Sequence, residues 1–137
     1  MDFDSKLGRR AVRKLKREQI IWLTSVDDQG RPQPRPVWFH WNGEDVLIFS
    51  QPKAGKVRQI AARPAVALHF NSDEAGSEVT VLLGEAHRMA APPPPERLKA
   101  YLRKYRSGIA GLEMTLSSFQ AEYSVPILVQ PTVLRGF

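Results

Sequence analysis

Residues 35–41 read RPVWFHW, from Arg35 to Trp41, between the turn-rich QGRPQP and the Asn42-Gly43 pair. Alternation along an extended chain puts Val37, Phe39 and Trp41 on one face and Trp38 and His40 on the other. Both faces are therefore largely apolar or aromatic, where a strand of a small barrel needs only its inner face buried. The outer face requires a cover, and a second subunit or a bound ligand would each supply one.

Working outward, IIWLTSV from Ile20 is β-branched and aromatic, and DDQG after it supplies a turn. PRPVWFHW reads as the second strand, and NGED as a hairpin whose Asn-Gly accepts the positive φ values of a type I′ turn. VLIFS completes that hairpin. A helix follows in QPKAGKVRQIAAR, with Val57, Ile60 and Ala61 at helical spacing and Pro64 preventing continuation. AVALHF is a further strand, NSDEAGSE a polar loop and EVTVLLGEAHRM a long strand.

The remaining segments are mostly helical. Residues 5–19 form an amphipathic helix with Leu7, Ala11, Val12 and Leu15 on one stripe. The prolines Pro92 to Pro95 make a stiff connector, and Pro95 suits the first turn of ERLKAYLRKY, where Leu98, Tyr101, Leu102 and Tyr105 share a face. A short helix around TLSSFQAEY and a last strand, VPILVQPTVLRGF, complete the order. Consecutive strands at short spacing with helices set aside predict one domain over residues 1–137, a closed or nearly closed antiparallel barrel.

Composition narrows the function. At 137 residues, with 42% hydrophobic and 25% charged residues, the chain is an ordinary globular one. It has no cysteine, which excludes a disulfide framework, a thiolate nucleophile and sulfur-ligated metal, and makes the cytoplasm the expected address. No apolar run reaches the ~20 residues of a membrane helix. The net charge of +6 favours anionic partners. Nucleic acid is disfavoured among them, because the aromatics sit on strands without intervening Lys or Arg and the basic N-terminal helix carries no base-stacking ring.

No acid–base constellation is visible. His40, His69 and His87 all fall in strands, without i,i+4 pairing or neighbouring acids at ligand spacing, so a metal site is not expected and each reads as a structural histidine. Ser25 and Ser50 lack a local base. KAGKV resembles the end of a phosphate-binding loop only superficially, since it lacks the upstream glycine and a Ser or Thr after Lys56. The strand end, turn and helix start in FSQPKAGKVRQ nevertheless gather Ser50, Gln51, Lys53 and Lys56. Backbone N–H groups and two ammonium groups there make a phosphate or carboxylate site.

The succession of D-x-x-G turn, PVWF strand, Asn-Gly hairpin and SQPKAGKVRQIAARPAVALHF, closed by YSVPILVQPTVLRGF, resembles the pyridoxamine 5′-phosphate oxidase-like split β-barrel superfamily. Within it the sequence looks most like the small F420-dependent branch. The resemblance implies a split barrel of about six antiparallel strands with peripheral helices, assembled as a homodimer with cofactor in two interface grooves. It implies an oxidoreductase that passes hydride between the deazaflavin F420 and a small organic acceptor, with FMN as the alternative cofactor. A non-catalytic protein that binds a flavin, F420 or haem is a further alternative. The ring would lie along Arg35–Phe39 against Pro36, Val37 and Trp38, and the phosphate at Ser50, Gln51, Lys53 and Lys56. Arg35 matches a position that contacts cofactor in flavin-binding relatives. His40 stands where pyridoxamine oxidases carry lysine, and their C-terminal tryptophan and arginine motif is missing, which argues against pyridoxamine phosphate as substrate. With the reaction carried by a cofactor, no side-chain nucleophile is needed, and no catalytic residue is assigned.

Overall fold

The computed structural model describes all 137 residues. Its strands are β1 (Ile21–Val26), β2 (Pro32–Val37), β3 (His40–Trp41), β4 (Val46–Ser50), β5 (Ala65–His69), β6 (Thr80–Arg88) and β7 (Val125–Gly136). Its helices are α1 (Lys6–Arg17), α2 (Gly55–Ala62), α3 (Pro95–Lys104), α4 (Arg106–Gly111) and α5 (Leu116–Glu122). All seven strands join one antiparallel sheet in the order β2-β1-β5-β6-β7-β4-β3.

The RPVWFHW stretch is not one strand. It breaks at Trp38 and Phe39, and its halves occupy the two opposite edges of the sheet. Three Cα steps separate Val37 from His40, so these edges lie within about 11 Å of each other. The sheet therefore has to curl until its edges nearly meet. That short bridge converts seven strands into a split half-barrel, with β2 and β3 as its two edges.

The interior is filled by one apolar cluster that includes Ile21, Leu23, Phe39, Ile48, Leu82 and Ile127, with Leu15 of α1 and Ile60 of α2 packed on it. Alternation along β1 is strict: Ile21, Leu23 and Ser25 are buried, and their neighbours half-exposed. β7 is 12 residues long and pairs with both β6 and β4, so it spans the barrel. A register shift at Leu83/Gly84 bends it. A Cβ on Gly84 would come within 2.2 Å of the Gln130 carbonyl oxygen, so only glycine fits the bend.

Local chemistry sets the remaining boundaries. The Ser5 side chain caps α1 by accepting the Gly8 N–H at 2.9 Å, and Arg10 ties α1 to the Val79 and Phe137 carbonyls at 2.6 Å each. The β3–β4 hairpin departs from the expected type I′ turn. Only Gly43 takes a positive φ, 101°, while the Asn42 side chain accepts the Glu44 and Asp45 N–H groups. A single glycine and an Asx-type turn replace the two left-handed residues of that expectation. No helix is long and apolar enough to cross a membrane.

α3, α4 and α5 form a second layer with its own aromatic cluster of Tyr101, Tyr105, Ile109 and Phe119. Trp38 and Phe49 are packed against it from the sheet. The outer face of RPVWFHW is thus covered first by the chain's own helices. α4 was invisible to sequence reasoning, since RSGIAG carries two glycines and only one residue, Ile109, that is buried.

Candidate functional site

β2 ends at the sheet edge and delivers Pro36, Val37 and then Trp38 to a cleft of about 280 Å³. The opposite wall comes from Tyr101 of α3, Leu112 after α4, and Phe119 and Tyr123 at α5, with Phe49 from β4. Lys56 of α2 reaches the same cleft. Four predicted residues, Pro36, Val37, Trp38 and Lys56, are therefore brought together around one space.

The Trp38 ring lies parallel to Tyr105, with centroids 4.6 Å apart, and leans on Phe119 at 5.7 Å. Gly108 permits this, because a Cβ there would stand 3.0 Å from the Trp38 ring. Trp38 is consequently both a cleft wall and part of the second core.

Arg35 stands behind the cleft rather than in its lining. Its guanidinium donates to Ser25 Oγ at 2.9 Å and to Gln59 Oε1 at 3.3 Å, and Ser25 itself donates to Gln59 Oε1 at 2.6 Å. This buried network sets Arg35 beside the first turns of α2. No carboxylate balances it: burial, then the Arg35 charge, push the Lys56 ammonium below its ordinary value. Two cations near one helix N-terminus are the setting that an anion relieves.

The other predicted cradle residues lie at the turn without lining the cleft. Ser50 is fully buried, and its hydroxyl donates to the Gln51 carbonyl at 3.0 Å. The Gln51 amide donates to Glu122 at 2.7 Å, fastening the turn to the end of α5. Lys53 is exposed on the turn.

Sequence reasoning did not foresee Tyr101, Phe119 and Tyr123. All three line the cleft. The helical spacing of Tyr101 showed which face is buried, but not that it lines one cleft with Trp38. His40 is structural: its Nδ1 accepts from Arg97 Nε at 3.3 Å, and Arg97 also pairs with Asp45. Burial, then the Arg97 and Lys104 charges, hold the imidazole below its ordinary value. No group of His, Asp or Glu is arranged to hold a metal ion.

The pyridoxamine 5′-phosphate oxidase family profile matches residues 8–124. The chain belongs to this family. Solved structures of the same fold include a Listeria innocua protein named for pyridoxamine 5′-phosphate oxidase, 18% identical with a TM-score of 0.72, covering 95% of this chain and 97% of that one. An F420 reductase is 26% identical with a TM-score of 0.65, covering 90% of this chain and 94% of its own. The haem storage protein HutZ of Vibrio cholerae is 17% identical with a TM-score of 0.71, covering 96% and 95%. Among curated proteins no sequence matches. The site described is an aromatic cleft with one cation, Lys56, in its lining and Arg35 behind it.

Proposed function

We propose that the protein is an F420-dependent oxidoreductase acting on a small unsaturated organic acceptor. The observation that carries this reading is the cleft itself, with Pro36, Val37 and Trp38 as a flat wall and Lys56, backed by Arg35, at its cationic end. When bound, the reduced deazaflavin supplies the hydride. The protein's part is position and charge. The β2 edge would hold the ring, Lys56 and Arg35 would offset the phosphate, and Tyr123 would border the ring from the opposite wall. The 26% identity to an F420 reductase over most of both chains supports the choice of cofactor.

FMN is the second reading, favoured by Arg35, whose side chain is already held in place by Ser25 and Gln59. Haem is less favoured because no histidine lines the cleft.

A homodimer belongs to the same proposal. At about 280 Å³ the cleft sits at the lower edge of small-molecule sites, so a tricyclic cofactor needs a further wall. The outer sheet face beside it has none of the cover that α3–α5 give elsewhere. In register across five strands, Pro36, Trp22, His69, Val81 and Arg135 share that face, as do Pro34, Thr24, Ala67, Leu83 and Val133. Pro36 belongs to both face and cleft, so a second copy on this face would also border the cofactor. An absorption and fluorescence titration tests the reading. Purified protein that quenches added F420 supports it, a flavin band favours FMN, and a Soret band after haem addition favours the haem alternative.

A further inference from the structure

A second cleft of about 330 Å³ opens on the far side of Phe49, Phe119 and Tyr123, which it shares with the first. Its floor and walls are mainly apolar, with Met89 and Pro93 from the connector after β6 and Leu98 and Leu102 from α3, while Gln120 and Ser124 add polar groups. No acidic residue lines it. One charged side chain does, Arg88, the last residue of β6, and it pairs with no carboxylate.

An arginine with no acid beside it at the mouth of an apolar cleft presents a planar fork of donors to whatever enters. The sequence around it adds a constraint. The run Pro92–Pro95 has few accessible conformations, and Pro93 is buried, so the connector forms a stiff wall rather than a loop free to collapse inward. The Met89 N–H is fixed to the Pro126 carbonyl at 2.9 Å, which anchors the chain immediately after Arg88. A preformed apolar slot with one unpaired guanidinium matches a ligand with an apolar body and one carboxylate, since bidentate pairing orients the head while the body removes water from Leu98 and Leu102.

We propose that this second cleft binds an apolar monocarboxylate, with Arg88 holding the carboxylate and the α3 leucines holding the hydrocarbon. The site needs no cofactor and stands apart from the reading of the first cleft.

The test is calorimetric titration of the full chain with decanoate and, in parallel, with decanol. Decanoate is expected to saturate one site per chain and to bind at least about tenfold more tightly than decanol, the scale of a charge-assisted hydrogen bond. Arg88→Gln should remove that preference and leave decanol binding as it was. Leu98→Trp should fill the slot and abolish both, with the unfolding midpoint measured alongside to show an intact fold. Equal binding of decanoate and decanol by the parent protein, an unchanged preference in Arg88→Gln, or no saturable decanoate binding would each overturn the proposal.

Discussion

The Tyr105 hydroxyl accepts the Phe39 backbone N–H at 2.8 Å and itself donates to the Gln19 carbonyl at 2.7 Å. One side chain at the end of α3 thereby holds the two-residue bridge that joins the sheet's edges and the segment leading into β1. Burial pushes the phenol well above its ordinary range, so it remains a donor at any physiological pH. Tyr105→Phe would leave a buried N–H unpaired in the most constrained part of the barrel. We expect a loss of about 1–3 kcal/mol, read from denaturant unfolding. A loss below about half a kcal/mol would show that the bridge does not depend on this bond.

Lys104 grips the same bridge. Its ammonium donates to the Phe39 carbonyl at 3.0 Å and lies 3.7 Å from the centre of the Phe39 ring. Burial lowers it to about 8, against the ordinary lysine value of 10.5. Between these pH values the unfolded chain keeps a proton that the folded chain has released, so this group adds stability as pH rises from about 8 to 10.5. Lys104→Met should remove that rise. Thermal unfolding of both proteins across this window checks it: the parent should gain on the variant with increasing pH, and parallel curves would refute the assignment.

Arg97 joins α3 to the β3–β4 hairpin through Asp45, the Asp45 carbonyl at 2.9 Å and the His40 carbonyl at 3.1 Å. Its side chain is only 11% exposed, so little solvent screens the pairing. Arg97→Met should cost roughly 2–3 kcal/mol, the scale of hydrogen bonds to a charged group, while leaving cofactor affinity near the parent value. Stability equal to the parent in urea unfolding would show that α3 is held by its aromatic face alone.

The order of strands was legible in the sequence because their periods and turns are local signals: β-branched runs, D-x-x-G, Asn-Gly and Pro64. The break at Trp38 was not. Val37, Trp38, Phe39 and His40 alternate as well as any strand, and only the pairing of β2 with β1 and of β3 with β4 pulls the two halves apart. The candidate site divides in the same way. Pro36, Val37, Trp38 and Lys56 lie at an edge and a helix start, positions that sequence order fixes. Tyr101, Phe119 and Tyr123 come from helices whose placement depends on long-range packing, so their part in the cleft had no local signature.

The unpartnered outer face predicts association. Leu83 and Val133 are paired across β6 and β7, and Val133 is 40% exposed. Leu83→Asp would put a charge between Ala67 and Val133 on that face and, in the dimer, bury it. Sedimentation should give a dimer for the parent and a monomer for the variant with unchanged circular dichroism. A monomeric parent at tens of micromolar would contradict the shared-site account.

The central claim is that the Lys56 end of the first cleft holds a cofactor phosphate. Titration of F420, and of FMN in parallel, into the parent and into Lys56→Ala tests it most directly. Saturable binding to the parent, weakened in the variant by about 1.5–3 kcal/mol with an unchanged unfolding midpoint, is the predicted result. Equal affinity in both proteins, or no binding of either cofactor to the parent, would contradict it.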